Sequence, residues 1–305
     1  MSPWLLAIHV DPDSDKLRHM DPIRELDRRE ADEIESAEEF LALYFAAPDL
    51  PYFMRKSEEV FTAYESLERA LSSTPSTFTI EPIVHELRMR FAEFLLAKRV
   101  YLEHLETRIK RQDGTSSLRW AAHSARKARE FDSSWGYAVA YALRNFCHVE
   151  FPGAFHSTAS LDEDEMISTT VDYFIRRDET IARGDFTRSQ VEAFLRCPPE
   201  IPVLELVGDA TNAVGRVHAS DMAVCLPRAK NHLAKLQRYV SEAKADAHST
   251  IAVASSDPRS GKFSLPVTVG RTWNSWIGLA EQGSFRVHGP WGTDYVLEGP
   301  PAAQL

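Results

Sequence analysis

The chain has 305 residues, 44% hydrophobic and 26% charged, with a formal net charge of −10, enough for one large domain or two ordinary ones around a substantial core. That composition excludes a disordered or fibrous chain, and the acidic balance argues against a protein that coats nucleic acid generally. No apolar run has bilayer-spanning length, the first residues lack the n-region and cleavage site of a secretory signal, and the three cysteines form no CxxC pair, so a soluble cytoplasmic protein without a disulfide scaffold or cysteine zinc site is expected.

Residues 1–33 read as a mobile acidic lead-in, because 11–33 are rich in Asp, Glu and Arg and poor in large apolar side chains. Ser36 and Glu39 form a capping-box pair for a helix that stops before Pro48 and buries Phe40, Leu43 and Tyr44. Ser57 opens another, with Val60, Tyr64, Leu67 and Leu71 on one face, followed by a loop through Pro82. The clearest element is 83–111, where Val84, Leu87, Phe91, Phe94, Leu95, Leu102, Leu105 and Ile109 make a helical stripe and the basic residues, Lys98 among them, fall mostly elsewhere. Gly114 is expected to end it. A basic helix over about 116–130 follows, then one from Asp132 or Ser133 to about Glu150, halted by Pro152 and Gly153. Residues 34–160 therefore predict an antiparallel helical bundle.

Further helices are expected over 161–249, in the same domain or a second one. The first is LDEDEMISTTVDYFIRRDETIARG, with its acidic first turn and its stop at Gly184; Pro227 should break or kink the last. In FSLPVTVG the apolar residues alternate, so 250–305 predict a small β-containing tail. The fold class is mainly α.

Charge is unevenly spread. Residues 1–82 carry 8 Lys/Arg against 18 Asp/Glu, whereas 83–130 carry 11 against 6. That positive segment leads directly into the stretch of chemical interest. With 135–148 drawn as a helix, Trp135, Val139, Ala142 and Phe146 form one stripe, and Tyr137, Tyr141, Arg144 and His148 form a second about 200° away. The first is expected to enter the core. The second would present two phenols, a guanidinium and an imidazole together, with Arg144 and His148 at i and i+4 able to act on one ligand. Asn145 is placed to hold the imidazole or cap the helix end.

FDSSWGYAVAYALRNFCHVEFPG resembles a recurring segment of HEPN-like helical proteins, in which an aromatic-Asp start leads into a helix ending in LRN, then His, then a Gly/Pro turn. The preceding FAEFLLAKRVYLEHLETRIKR, a Gly-containing polar turn and a second helix match that group's arrangement, and the resemblance covers about 36–160. It implies a helical bundle, often a metal-independent RNase of toxin or antiviral defence systems, commonly dimeric, with the motif R-x(4–6)-H. Arg144, Asn145 and His148 take those places here as R-x(3)-H, one residue shorter than the family pattern. In that reading His148 exchanges the proton of the 2′-hydroxyl, Arg144 holds the non-bridging phosphate oxygens, and Tyr137 or Tyr141 stacks on a base. The expected partners are RNA, a second copy of the chain and a cognate regulatory protein; no cofactor, metal or membrane is implied. The alternative is a non-catalytic dimerisation or binding module. Other candidates are weaker. His85, His104 and His123 form no HxxxH or HExxH, Glu103 and Glu106 beside His104 lack the partners of a carboxylate–histidine metal site, phosphate-cradling glycine loops are absent, and Trp273, Trp276 and Trp291 suit a small core.

Overall fold

The computed structural model describes residues 3–10, 17–46, 49–73, 77–144, 153–161, 167–243, 249–257, 262–268, 284–288 and 294–298. In chain order the elements are β1 (Pro3–Val10), β2 (Leu17–Glu25), α1 (Arg28–Ala46), α2 (Asp49–Ser73), α3 (Thr77–Gln112), α4 (Leu118–Ser133), α5 (Trp135–Leu143), β3 (Gly153–Leu161), β4 (Ile167–Arg176), α6 (Arg177–Arg183), α7 (Arg188–Leu195), β5 (Glu200–Pro202), α8 (Val203–Glu242), β6 (Ser249–Asp257), β7 (Lys262–Thr268), β8 (Ser284–His288) and β9 (Asp294–Glu298). The fold is mainly α, as the periodicity predicts. Two compact units divide it: Met1–Ala47 with Met222–Val287 and Pro300–Leu305, and Pro48–Asp221 with His288–Gly299.

In the first unit, four antiparallel strands lie in the order β2-β1-β6-β7, and α1 packs against β1, β6 and β7. The segment read as an acidic lead-in therefore carries two strands and the start of a helix. Leu5, Leu6, Ala7 and Ile8 are all buried, a continuous run that fits a strand covered on both faces and shows no alternation. The start of α1 is also corrected. Asp27 Oδ1 accepts the Glu30 amide at 2.8 Å and Glu30 Oε2 accepts the Asp27 amide at 3.1 Å. This reciprocal box sits nine residues before the one read at Ser36 and Glu39, with Asp in place of Ser as the capping oxygen. Phe40 and Tyr44 are buried as expected, and the latter's hydroxyl donates to the Met222 carbonyl at 2.7 Å.

The second unit is a helical bundle with the three-stranded antiparallel sheet β3-β4-β5 on it. Helices α2 and α3 run antiparallel, since Phe53 meets Tyr101, Lys56 meets Glu93 and Arg90 meets Glu59. Leu87, Phe91, Phe94, Leu95, Leu102, Leu105 and Ile109 are buried; Gly114, at φ +81°, ends the segment in the left-handed conformation that suits glycine. The expected loop up to Pro82 is shorter, because α3 begins at Thr77 and takes Pro82 within its early turns. Ser57 is not a helix start but a buried residue within α2, its hydroxyl 2.9 Å from Thr211 Oγ1.

Among the described residues of 161–184, where a helix is expected, most are strand: Ile167–Arg176 form β4, and Arg177–Arg183 alone are helical. Ile, Thr and Val are stiff at χ1 and favour the extended chain; the short α6 has its own acidic first turn, Asp178 and Glu179, and ends at Gly184, while the acidic residues 162–165 lie outside the described residues. Pro227 lies inside α8, which continues to Glu242. Residues 203–221 of α8 run through this unit and bond to each helix from α2 to α5 (Ser57–Thr211, Tyr101–His218, Arg119–Asp221, Arg216–Glu130 and Gly136–Asp209). Among the described residues, no helix is long and apolar enough to cross a membrane.

Candidate functional site

Helix α5 starts at Ser134, whose hydroxyl accepts the Tyr137 amide and donates to Asp209 Oδ2 at 2.8 Å. The same carboxylate accepts the Gly136 amide at 2.8 Å. Every residue from Gly136 to Ala140 is buried, as are Ala142 and Leu143. The helix is enclosed on nearly all sides rather than divided into a core face and a solvent face. It runs to Leu143, with Arg144 as its C-cap in the right-handed helical region. Asn145 and His148 lie outside the described residues.

This enclosure separates the predicted stripe. Tyr137 is 1% exposed, and its hydroxyl has no hydrogen-bond partner among the described residues. It is not available to stack on a base, contrary to expectation; its mainly apolar ring is part of the packing. Tyr141 and Arg144 remain together. The guanidinium carbon lies 3.9 Å from the Tyr141 ring centroid, and Phe131 meets the same ring edge-on at 5.8 Å. One face of Tyr141 is thus already taken by a cation.

Both residues line a cavity of about 320 Å³ whose other walls come from α3 and α4. That volume is at the small end for a ligand site and exceeds a single phosphate. Three cationic side chains border it, Arg99 from α3, Lys127 from α4 and Arg144, beside the buried amine of Lys98. Two carboxylates oppose them. Glu103 accepts a hydrogen bond from Arg99 Nε at 2.8 Å, and Glu106 is paired with Lys127. The lining therefore carries a cationic surplus in a chain whose total charge is −10, the arrangement that concentrates anions locally.

Lys98 is the functional candidate that periodicity missed. It is 2% exposed, donates to the Tyr137 carbonyl oxygen at 2.8 Å and sits 4.0 Å from the centroid of the Tyr137 ring. Burial, then the charges of Arg144 and Lys127, push its amine well below the usual lysine range. Its position was legible, since it lies three residues after Leu95 and four before Leu102, within the buried stripe of α3 rather than on its outer face.

No family model, curated protein or solved structure matches this chain. The chemistry of the site thus rests on its own side chains. Farther into the same unit, His218 is 3% exposed, with its Nδ1 2.9 Å from Tyr101 Oη, and burial pushes its pKa down to about 4. His123 is 2% exposed, and neither of its ring nitrogens has a hydrogen-bond partner among the described residues. Both are core imidazoles. Among the described residues, no three His, Cys, Asp or Glu side chains gather where they could hold a metal ion.

Proposed function

We propose that the helical unit binds RNA through the cavity beside Arg144 and cleaves it without metal, in the manner of HEPN-like RNases. The observation that supports binding is the meeting of Arg144 and Tyr141, two members of the polar stripe, with Arg99 and Lys127 at one cavity. A guanidinium offers paired donors to the non-bridging oxygens of a phosphodiester, and the ammonium of Lys127 adds charge. The cleavage step rests on His148 and on the sequence resemblance. His148 removes the 2′-hydroxyl proton as that oxygen attacks the adjacent phosphorus. The bond to the 5′-oxygen breaks, and the proton passes to the leaving oxygen, with a 2′,3′-cyclic phosphate as product. A homodimer that joins two such cavities in one cleft belongs to the same reading.

The second reading, a non-catalytic binding module, is favoured by the placement of the Arg144 guanidinium on the Tyr141 ring, which leaves that ring face closed to a base. One experiment separates the two. Full-length wild type, Arg144→Gln and His148→Ala are incubated with end-labelled RNA in EDTA, and binding and products are measured in parallel. Cleavage by wild type alone, with binding retained in His148→Ala and weakened about ten-fold or more in Arg144→Gln, is expected. Binding without product selects the binding module. Equal product from wild type and His148→Ala rejects His148 catalysis, and equal binding by wild type and Arg144→Gln rejects the cavity as the RNA site.

A further inference from the structure

The cavity contains a nucleophile that phosphodiester binding does not use. Lys56 lies within 2.8 Å of Glu59 and Glu93, Lys235 within 3.1 Å of Glu33, and Lys127 is paired with Glu106. Lys98 has no carboxylate partner among the described residues; its nitrogen is held by the Tyr137 carbonyl and ring. Around it, at the same cavity, stand Arg99 and Glu103 on α3, Glu106 one turn on, Lys127 on α4, and Arg144 after α5. Both acids are bonded to other cations.

We propose that Lys98 is a reactive amine and that the cavity takes a small phosphorylated aldehyde, with Arg144 and Lys127 on the phosphate and the carbonyl carbon at Lys98 Nζ. The amine lone pair attacks that carbon, and the carbonyl π electrons move to oxygen. Both N–H protons then leave with the oxygen as water, so that the C–O bond is exchanged for a C=N bond and nothing is oxidised or reduced. The nucleophile must be uncharged, and the two influences that lower the Lys98 pKa, burial and neighbouring cations, favour that form. Each unit of lowering raises the uncharged fraction about ten-fold near neutrality. Those same cations attract the phosphate, so one cluster serves both ends of the ligand. This inference rests on the cavity being an anion site, but not on RNA as its occupant.

The probe is pyridoxal 5′-phosphate, with pyridoxal as its phosphate-free counterpart. Each is incubated with the full chain at pH 7, trapped with borohydride and located by peptide mass mapping. The expected result is a principal adduct on Lys98, formed about ten-fold more readily with the phosphorylated probe and suppressed by inorganic phosphate. In Arg144→Gln the preference for the phosphorylated probe falls while pyridoxal still labels Lys98. In Lys98→Met the adduct disappears and the thermal unfolding curve is kept. Label spread over exposed lysines such as Lys110, with Lys98 unmodified in wild type, overturns the proposal. So does equal labelling of Lys98 by both probes. If Lys98 stays unmodified while RNA binding remains sensitive to Arg144→Gln, this inference fails alone; if neither phosphate nor RNA responds to Arg144→Gln, the anion site fails with it.

Discussion

Replacing Arg119 by Met should be among the most damaging single changes in the helical unit, and its cost follows from one partner. The guanidinium makes a two-pronged pair with Asp221, Nε to Oδ1 at 2.7 Å and Nη2 to Oδ2 at 2.8 Å, and its Nη1 donates to Asp113 Oδ2 at 2.8 Å and Gln112 Oε1 at 2.9 Å. The Asp113 side chain is 21% exposed and regains water when the arginine is lost. Asp221 is different: its side chain is 4% exposed, so Arg119→Met leaves a carboxylate in the interior without its counter-ion, at a cost of about 3–5 kcal/mol. With Asp221→Leu added, no buried charge is left behind, and most of that loss should return. Urea unfolding followed by far-ultraviolet circular dichroism measures both. With a slope of roughly 2 kcal/mol per molar urea, the single change should lower the midpoint by about 1.5–2.5 M and the double change by far less. A single variant that loses under about 1 kcal/mol with an unaltered slope, or a double variant as unstable as the single, would refute the reasoning.

The buried imidazoles make stability depend on pH in a defined direction. His218 ionises near 4 in the folded chain against about 6.5 when unfolded, so the unfolded state takes up a proton first. Its contribution is complete above about pH 6.5 and declines toward pH 4, by about 3 kcal/mol in all; His123, also lowered by burial, adds in the same sense. In His218→Gln the pH slope of the unfolding free energy should shrink over that window, and an unchanged slope argues against the assignment. Gly136→Ala would place a methyl carbon 2.8 Å from the Leu206 carbonyl oxygen and 2.9 Å from Asp209 Cβ, forcing α5 away from α8 at about 1–3 kcal/mol; an unshifted melting temperature contradicts that close approach. Glu106→Gln removes the carboxylate paired with Lys127, so fluorescence anisotropy with labelled RNA should show tighter binding, by roughly 1 kcal/mol or less. Weaker binding would mean that Glu106 positions the lysine rather than neutralising it.

The helices were legible where one face alone is buried. The stripe of α3 and the apolar positions Val60, Tyr64 and Leu67 of α2 follow the helical period, and all but Val84 of those described are buried. The logic fails where an element is covered on more than one side. Helix α5 is buried nearly all round, so the 200° offset between its two stripes did not separate inside from outside, and Tyr137 went inward. Strand β1 is a continuous apolar run paired on both edges, and no local period marks it. Strand β4 borrowed the end signals of the helix that follows it. At the candidate site, Arg144 and Tyr141 could be found from their spacing. Lys98 departs from the outward placement usual for lysine, following its neighbours at −3 and +4, which both turn inward.

The partners of β1 bear on how the molecule is made. Leu5 pairs with Val253 and Ala7 with Ile251, so during synthesis the first strand emerges long before the strand that covers its other edge. Until then it has only β2 beside it, and a two-stranded ribbon is marginal in water. The stretch from α2 to α7, by contrast, is complete in sequence well before β6 leaves the ribosome. Bundle first and sheet last is the order this connectivity favours, and the waiting edge of β1 is where a stalled or truncated chain would be most prone to join another copy.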